Sequence, residues 1–169
     1  LLLDMHHIIM DGMSKNILIK ELSLLYQGID IPSPKLQYKD YSVWESELKK
    51  NQTDWSKKEE FWLHQFSDEL PILKLPTDYQ RPPIQQFKGR KLIFKISKEM
   101  TNDLKLFAKN RNVTLFMLLF TVYNVLLSKY SEQEDIIVGT TLMGRYNREF
   151  ESLLGMFVNT LPIRSKLSQ

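Results

Sequence analysis

The sequence has no cysteine, which excludes a disulfide framework, a cysteine-ligated zinc site and a thiol nucleophile among its residues. Histidine is almost as scarce, with three in 169 residues. Excess charge of one sign is missing too: 23 Lys and Arg stand against 20 Asp and Glu, a formal +3, and the two signs are interspersed. With no arginine-rich run and no alternation of basic and aromatic residues, nothing favours a nucleic-acid partner. No apolar run reaches membrane length; the longest mostly apolar stretch, residues 115–127, is interrupted by Thr121 and Asn124. No signal-peptide pattern is present, so the expectation is a cytoplasmic protein with no membrane contact. An initiating Met is also lacking. The chain opens inside the apolar run Leu1-Leu2-Leu3, which suggests an internal piece of a longer protein, because natural termini are usually polar.

What is present is the composition of a globular protein, 43% hydrophobic and 25% charged. Residues 1–5 read as the end of a strand entering a loop. Ser14 then precedes Ile17, Leu18, Leu22, Leu25 and Tyr26, a helical spacing that predicts a helix capped by Ser14 and stopped at Gly28. Tyr41, Trp44 and Leu48, then Phe61, Trp62 and Phe66, predict two helices separated near residues 51–55. Residues 71–89 carry Pro71, Pro76, Pro82 and Pro83 without periodicity and form the best candidate linker. Residues 91–97 alternate apolar and polar, the pattern of a half-buried strand. Residues 98–110 predict a helix with Leu104, Phe107 and Ala108 inward. Residues 114–130 predict a second helix, apolar on most faces and therefore buried. Residues 136–141 and 156–164 are strand-like.

The chemically loaded segment is Met5-His6-His7-Ile8-Ile9-Met10-Asp11-Gly12. Histidine as a residue type titrates near neutrality, so it can take a proton from an attacking nucleophile or orient it. Asp11 could pair with an arginine and stiffen the loop that presents His7, with Arg145, Arg164 or a group outside the chain as partner. Gly12 would permit the turn into the following helix. Three other readings compete at this point. His6 and His7 could be ordinary polar residues at a strand end. His and Asp four apart could share a metal, although His64 is the one further histidine and no carboxylate cluster accompanies it. Ser14 could be a hydrolase nucleophile, but no Gly-x-Ser-x-Gly elbow exists.

The segment MHHIIMDGMS at residues 5–14 resembles the active-site motif of the condensation domains of nonribosomal peptide synthetases. Two further segments resemble motifs of that family in the expected order: Tyr38-Lys39-Asp40-Tyr41-Ser42-Val43-Trp44, and Gly155-Met156-Phe157-Val158-Asn159-Thr160-Leu161 with Arg164 close behind. Gly139-Thr140-Thr141-Leu142-Met143-Gly144-Arg145 resembles the stretch before the last of these. Ordered motifs over nearly the whole chain are far more specific than any one of them.

The resemblance implies an α/β fold (α+β) of chloramphenicol acetyltransferase type, with two lobes forming a V around a tunnel. Residues 1–75 would end the first lobe, 76–89 would cross over, and 90–169 would begin the second. It implies peptide-bond formation between aminoacyl or peptidyl thioesters, joining two L-residues. The thioesters arrive on the phosphopantetheine arms of donor and acceptor carrier proteins, beside an adenylation domain. No cofactor or metal is bound directly. It implies His7 as the catalytic base or positioning group, with His6, Asp11 and Gly12 completing the motif. Ser14, Asn159, Arg145, Arg164 and Trp62 would line the tunnel or support it. Alternatives of the same fold are a non-catalytic docking domain and an acyltransferase that uses coenzyme A or makes an ester. These residues alone, half of a tunnel, are expected to be inactive.

Overall fold

The computed structural model describes residues 2–50, 52–80 and 82–167. A 3-10 turn, His7–Ile9, leads into α1, Gly12–Tyr26. Then come α2, Tyr38–Lys50; α3, Gln52–Gln65; α4, Lys98–Asn110; and α5, Leu115–Ser131. Two strands follow, β1 at Asp135–Leu142 and β2 at Asn159–Lys166, with a short 3-10 turn at Arg148–Phe150 between them. The strands form a two-stranded sheet. Leu167 N–H donates to the Glu134 carbonyl, and Gly139 lies against Thr160, so the pair runs antiparallel.

The chain divides into two compact units. The first comprises Leu1–Glu69 with Gly139–Pro162; the second comprises Leu70–Val138 with Ile163–Gln169. Residues 139–162 therefore group with the N-terminal helices.

In the first unit, α2 supplies the packing centre. Asp40 in its first turn accepts from the Gln37 N–H at 2.7 Å, which helps fix where the helix starts. Tyr41 then packs with Phe150, Leu153 and Phe157, and half-buried Leu36 flanks them. The rings meet at 4.6 Å (Tyr41–Phe157) and 5.2 Å (Tyr41–Phe150), and Trp44 meets Phe150 edge-on at 5.3 Å. Tyr41 and Trp44 are thus packing residues, as their spacing suggests.

In the second unit, Ser97 caps α4 by accepting from Met100 N–H, and Thr114 caps α5 by accepting from Met117 N–H, both at 3.1 Å. Ala108, Leu127 and Ile136 are its buried apolar residues. Gln133 holds the incoming strap: its Oε1 accepts from Lys74 N–H and its Nε2 donates to the Ile72 carbonyl.

Several expectations need correction. Asp11, not Ser14, caps α1; Ser14 lies inside the first turn and serves as the donor. Residues 2–5 and 91–97 are not strands. Alternation says which face of a strand would be buried, but a strand exists only with a partner that takes its hydrogen bonds. Among the described residues β1 and β2 pair only with each other. Helix α5 is apolar on most faces yet largely exposed, with Phe116, Val122 and Tyr130 each more than half accessible. Phe107 on α4 is exposed as well, while Leu104 is half-buried and Ala108 buried. An apolar face predicts that something can cover it, not that the covering element lies nearby in the chain.

Candidate active site

The site is built in the first unit around the N-terminus of α1. Asp11 is extended and caps the helix, its Oδ1 accepting from Ser14 N–H at 2.8 Å. An aspartate is favoured there because its side chain satisfies one of the orphan donors of the first turn and its charge complements the helix dipole. Asp11 also reaches across the fold. Its N–H donates to the Gly155 carbonyl, and its Oδ2 accepts from Phe157 N–H at 3.2 Å.

Arg145 completes the arrangement. Nη2 donates to Asp11 Oδ1 at 3.1 Å and to Ser14 Oγ at 2.9 Å, and Nη1 donates to the carbonyls of Phe150 and Leu153. The guanidinium lies 4.0 Å from the centroid of the Phe157 ring, a desolvated cation–π contact. Both charged side chains are nearly inaccessible, at 2% and 1%, and the arginine fork takes up its partners through Nη1 and Nη2, while the buried Nε has none among the described residues. Burial pushes the Asp11 carboxyl up. The hydrogen bonds from Ser14, from Phe157 N–H and from Arg145 outweigh that effect and hold it below its usual value.

Two glycines permit the close approach. Gly144 has φ +67°, and a Cβ there would run into the Phe157 carbonyl. A Cβ on Gly155 would run into the ring of Tyr38. Tyr38 is fastened in turn by its hydroxyl, which donates to the Met156 carbonyl at 2.8 Å.

The histidines precede this cluster on an exposed turn. His6 Nδ1 accepts from Ile8 N–H at 3.1 Å, which places the proton of the neutral ring on Nε2. Met10 N–H donates to the His7 carbonyl and Ile9 N–H to that of His6, so the turn is closed by its own backbone. Both histidines are exposed. Among the described residues no hydrogen-bond partner takes up the His7 ring, which leaves its nitrogens available to a ligand.

The structure settles the choice of partner for Asp11. Arg145 takes it, while Arg164 pairs with Asp135, Nε to Oδ1 at 2.9 Å. Gly12 is exposed at the start of α1, with nothing within 4 Å of an added Cβ. Its φ is not positive, so the turn does not require glycine; what Gly12 provides is open space. Asn159 is exposed and accepts from the N–H of Thr160 at 2.9 Å. Trp62 stacks on Phe66 at 6.0 Å and meets Phe61 edge-on. Asp11, Ser14 and Arg145 are therefore brought together, whereas Asn159, Arg164 and Trp62 make their own local contacts. Residue-by-residue reading passed over Tyr38, Gly144, Gly155 and Phe157. All four lie inside the quoted motifs, and that membership was the available signal. Among the described residues no group of three or more His, Asp or Glu could hold a metal ion. No single helix there is long and apolar enough to cross a membrane.

The fold is that of the condensation domains, a chloramphenicol acetyltransferase-like α/β fold. A four-domain nonribosomal peptide synthetase bound to AMP and glycine superposes with a TM-score of 0.81 at 28% identity, covering 97% of this chain and 12% of that one. The X-domain in complex with OxyB from teicoplanin biosynthesis gives 0.84 at 23% identity, covering 97% and 38%. The Condensation domain family matches over residues 1–169, and this chain belongs to it. Gramicidin S synthase 2 of Brevibacillus brevis is 51% identical over 166 residues, 98% of this chain and 4% of its own length. Surfactin synthase subunit 2 of Bacillus subtilis (strain 168) is 46% identical over 165 residues, again 98% of this chain and 4% of its own. The chain thus spans only a small part of these relatives.

Proposed function

We propose that these residues form part of a condensation domain that joins two carrier-bound thioesters through an amide bond, with His7 as the group that meets the acceptor amine. The observation that carries this reading is the contrast within one short segment: an exposed histidine turn with an unengaged His7 ring, rooted four residues later in the buried Asp11–Arg145 pair. A base must reach its substrate yet hold still, and the arrangement meets both requirements.

In the proposed reaction the amine of the acceptor aminoacyl group attacks the carbonyl carbon of the donor thioester. The new C–N bond forms, the C–S bond breaks, and the thiol of the donor phosphopantetheine arm leaves. His7 orients the amine or accepts the proton it gives up, and that proton ends on the departing sulfur. Asp11 has no part in proton transfer, because it is buried and fully hydrogen-bonded; it holds the turn. Gly12, with open space beside it, leaves room for the reacting carbonyl. His6 is committed through Nδ1 to its own turn and supports His7. The partners are donor and acceptor peptidyl carrier proteins and an adjacent adenylation domain in a cytoplasmic synthetase, and identities of 43–51% to peptide synthetases support that assignment. Joining of two L-residues is the subtype that the motifs at residues 11–14 and 155–161 favour. Residues 1–75 and 90–169 contribute to two lobes of the whole domain, which carries the activity that these residues alone lack.

The test is product formation on the whole synthetase with both carriers loaded, followed by mass spectrometry. His7→Ala is expected to slow amide formation by about 100-fold or more, the range that general acid–base groups contribute. Unchanged product formation would remove His7 from the chemistry.

A further inference from the structure

Ser14 is completely buried, and its hydroxyl has used its whole hydrogen-bonding capacity. It donates to the Gly155 carbonyl at 2.8 Å and accepts from Gly155 N–H at 3.0 Å and from Arg145 Nη2 at 2.9 Å. A serine in the first turn of a helix ordinarily bonds within its own turn or to water. This one instead binds both backbone groups of a single residue 141 positions away. Its own N–H holds the Asp11 carboxylate, and Asp11 N–H joins it on the Gly155 carbonyl. The start of α1 is therefore fastened to Gly155 at three points, two of them through the Ser14 hydroxyl. Asp11 is followed backwards by a turn closed on itself, with Met10 N–H on the His7 carbonyl. Little freedom is left between the fastened point and His7.

We propose that Ser14 is a positioning residue for His7: its hydroxyl sets where α1 begins against Gly155, and through Asp11 it sets where the histidine turn stands. The inference rests on the reading of His7 as the group that meets the amine. Ser14 itself touches no substrate. Removing its hydroxyl strands the Gly155 N–H and one Arg145 donor in a water-free place, and buried donors without partners pull the backbone toward new ones. A shift of the turn by a fraction of an ångström is enough to slow a reaction that depends on alignment.

A single-turnover measurement on the whole synthetase separates positioning from stability. With both carriers loaded, the amplitude of dipeptide formation counts the competent domains, and the rate constant reports how well each one is aligned. Ser14→Ala is expected to lower the rate constant by about 10-fold with the amplitude kept. Ser14→Cys, close in size but a weaker hydrogen-bonding group, should fall between alanine and wild type, and it decides the matter if the alanine variant does not fold. A wild-type rate constant in the folded variants, whether or not the amplitude drops, overturns the proposal. His7→Ala is run alongside: if it keeps the wild-type rate constant, the functional reading fails first, whereas a slow His7→Ala beside a fast Ser14 variant defeats only the role given to Ser14.

Discussion

Two aspartate–arginine pairs, one in each compact unit, show how differently the same two residue types can be used. Asp11 and Arg145 are both buried, and both make further bonds: the carboxylate to two backbone N–H groups, the guanidinium to two carbonyls, a serine and an aromatic face. Asp135 and Arg164 join the start of one strand to the end of its neighbour, and the Asp135 side chain keeps 31% of its surface in water. The first pair is the hub that shapes a loop. The second fastens a ribbon. The lesson is that burial, more than the ion pair itself, decides what each contributes.

The largest effect follows from breaking the first pair from one side. Arg145→Ala, or Asp11→Ala, leaves a buried charge without its counter-ion and should cost about 3–5 kcal/mol. Urea unfolding of the whole condensation domain, with soluble yield as a companion measure, checks this. A normal yield and an unchanged midpoint for Asp11→Ala would show that the buried pair does not hold the domain together.

Acid sharpens the same point with a smaller effect. Asp11 is held below its ordinary value of 3.8 in the folded state. A carboxyl lowered in this way adds stability that is fully present above the unfolded value. That stability is lost as pH falls through the folded value. The contribution should therefore begin to fall below about pH 4 and go on falling as the solution becomes more acid. Asp11→Asn removes the titrating group, so the gap in urea midpoint between wild type and variant should narrow as pH falls from 5 to 3. A gap independent of pH across that range would mean that the charge of Asp11 is not what its partners stabilise.

Much of this was legible in the sequence because the local signals are strong. The helices expected at 98–110 and 114–130 follow from apolar spacing, and the structure places them at 98–110 and 115–131 with caps at Ser97 and Thr114. Strand β1 follows from a β-branched run ended by turn residues. The Asp11–Arg145 pair was legible only as one choice among Arg145, Arg164 and a group outside the chain, because a contact 134 residues apart leaves no periodic trace. Phe157 and Tyr38 show the same limit: their motifs mark them, but nothing local says that one ring lies under a guanidinium and the other against a glycine. The failed strand at 91–97 and the exposed α5 have a related cause. Their apolar patterns are real, with Leu92 and Phe94 both highly exposed, but a pattern specifies a face and leaves the partner open.

The smallest effect is expected at the second pair. Arg164→Ala leaves Asp135 with a side chain that is about a third exposed, so the charge left behind is not fully buried. The change removes the bidentate bond and the packing of the arginine stem, whose side chain is itself only 4% exposed. A cost of about 1–2 kcal/mol follows. A double-mutant cycle isolates the pair from the stem: Arg164→Ala, Asp135→Ala and the double variant should give a coupling of about 1 kcal/mol or less, weakened by added salt. The same cycle on Asp11 and Arg145 should give a larger coupling that salt barely changes, since the pair is shielded from ions in solution. Equal couplings for the two pairs would mean that burial is not what separates them. The stability of the histidine turn would then have to come from the aromatic packing of Tyr41, Phe150 and Phe157 instead.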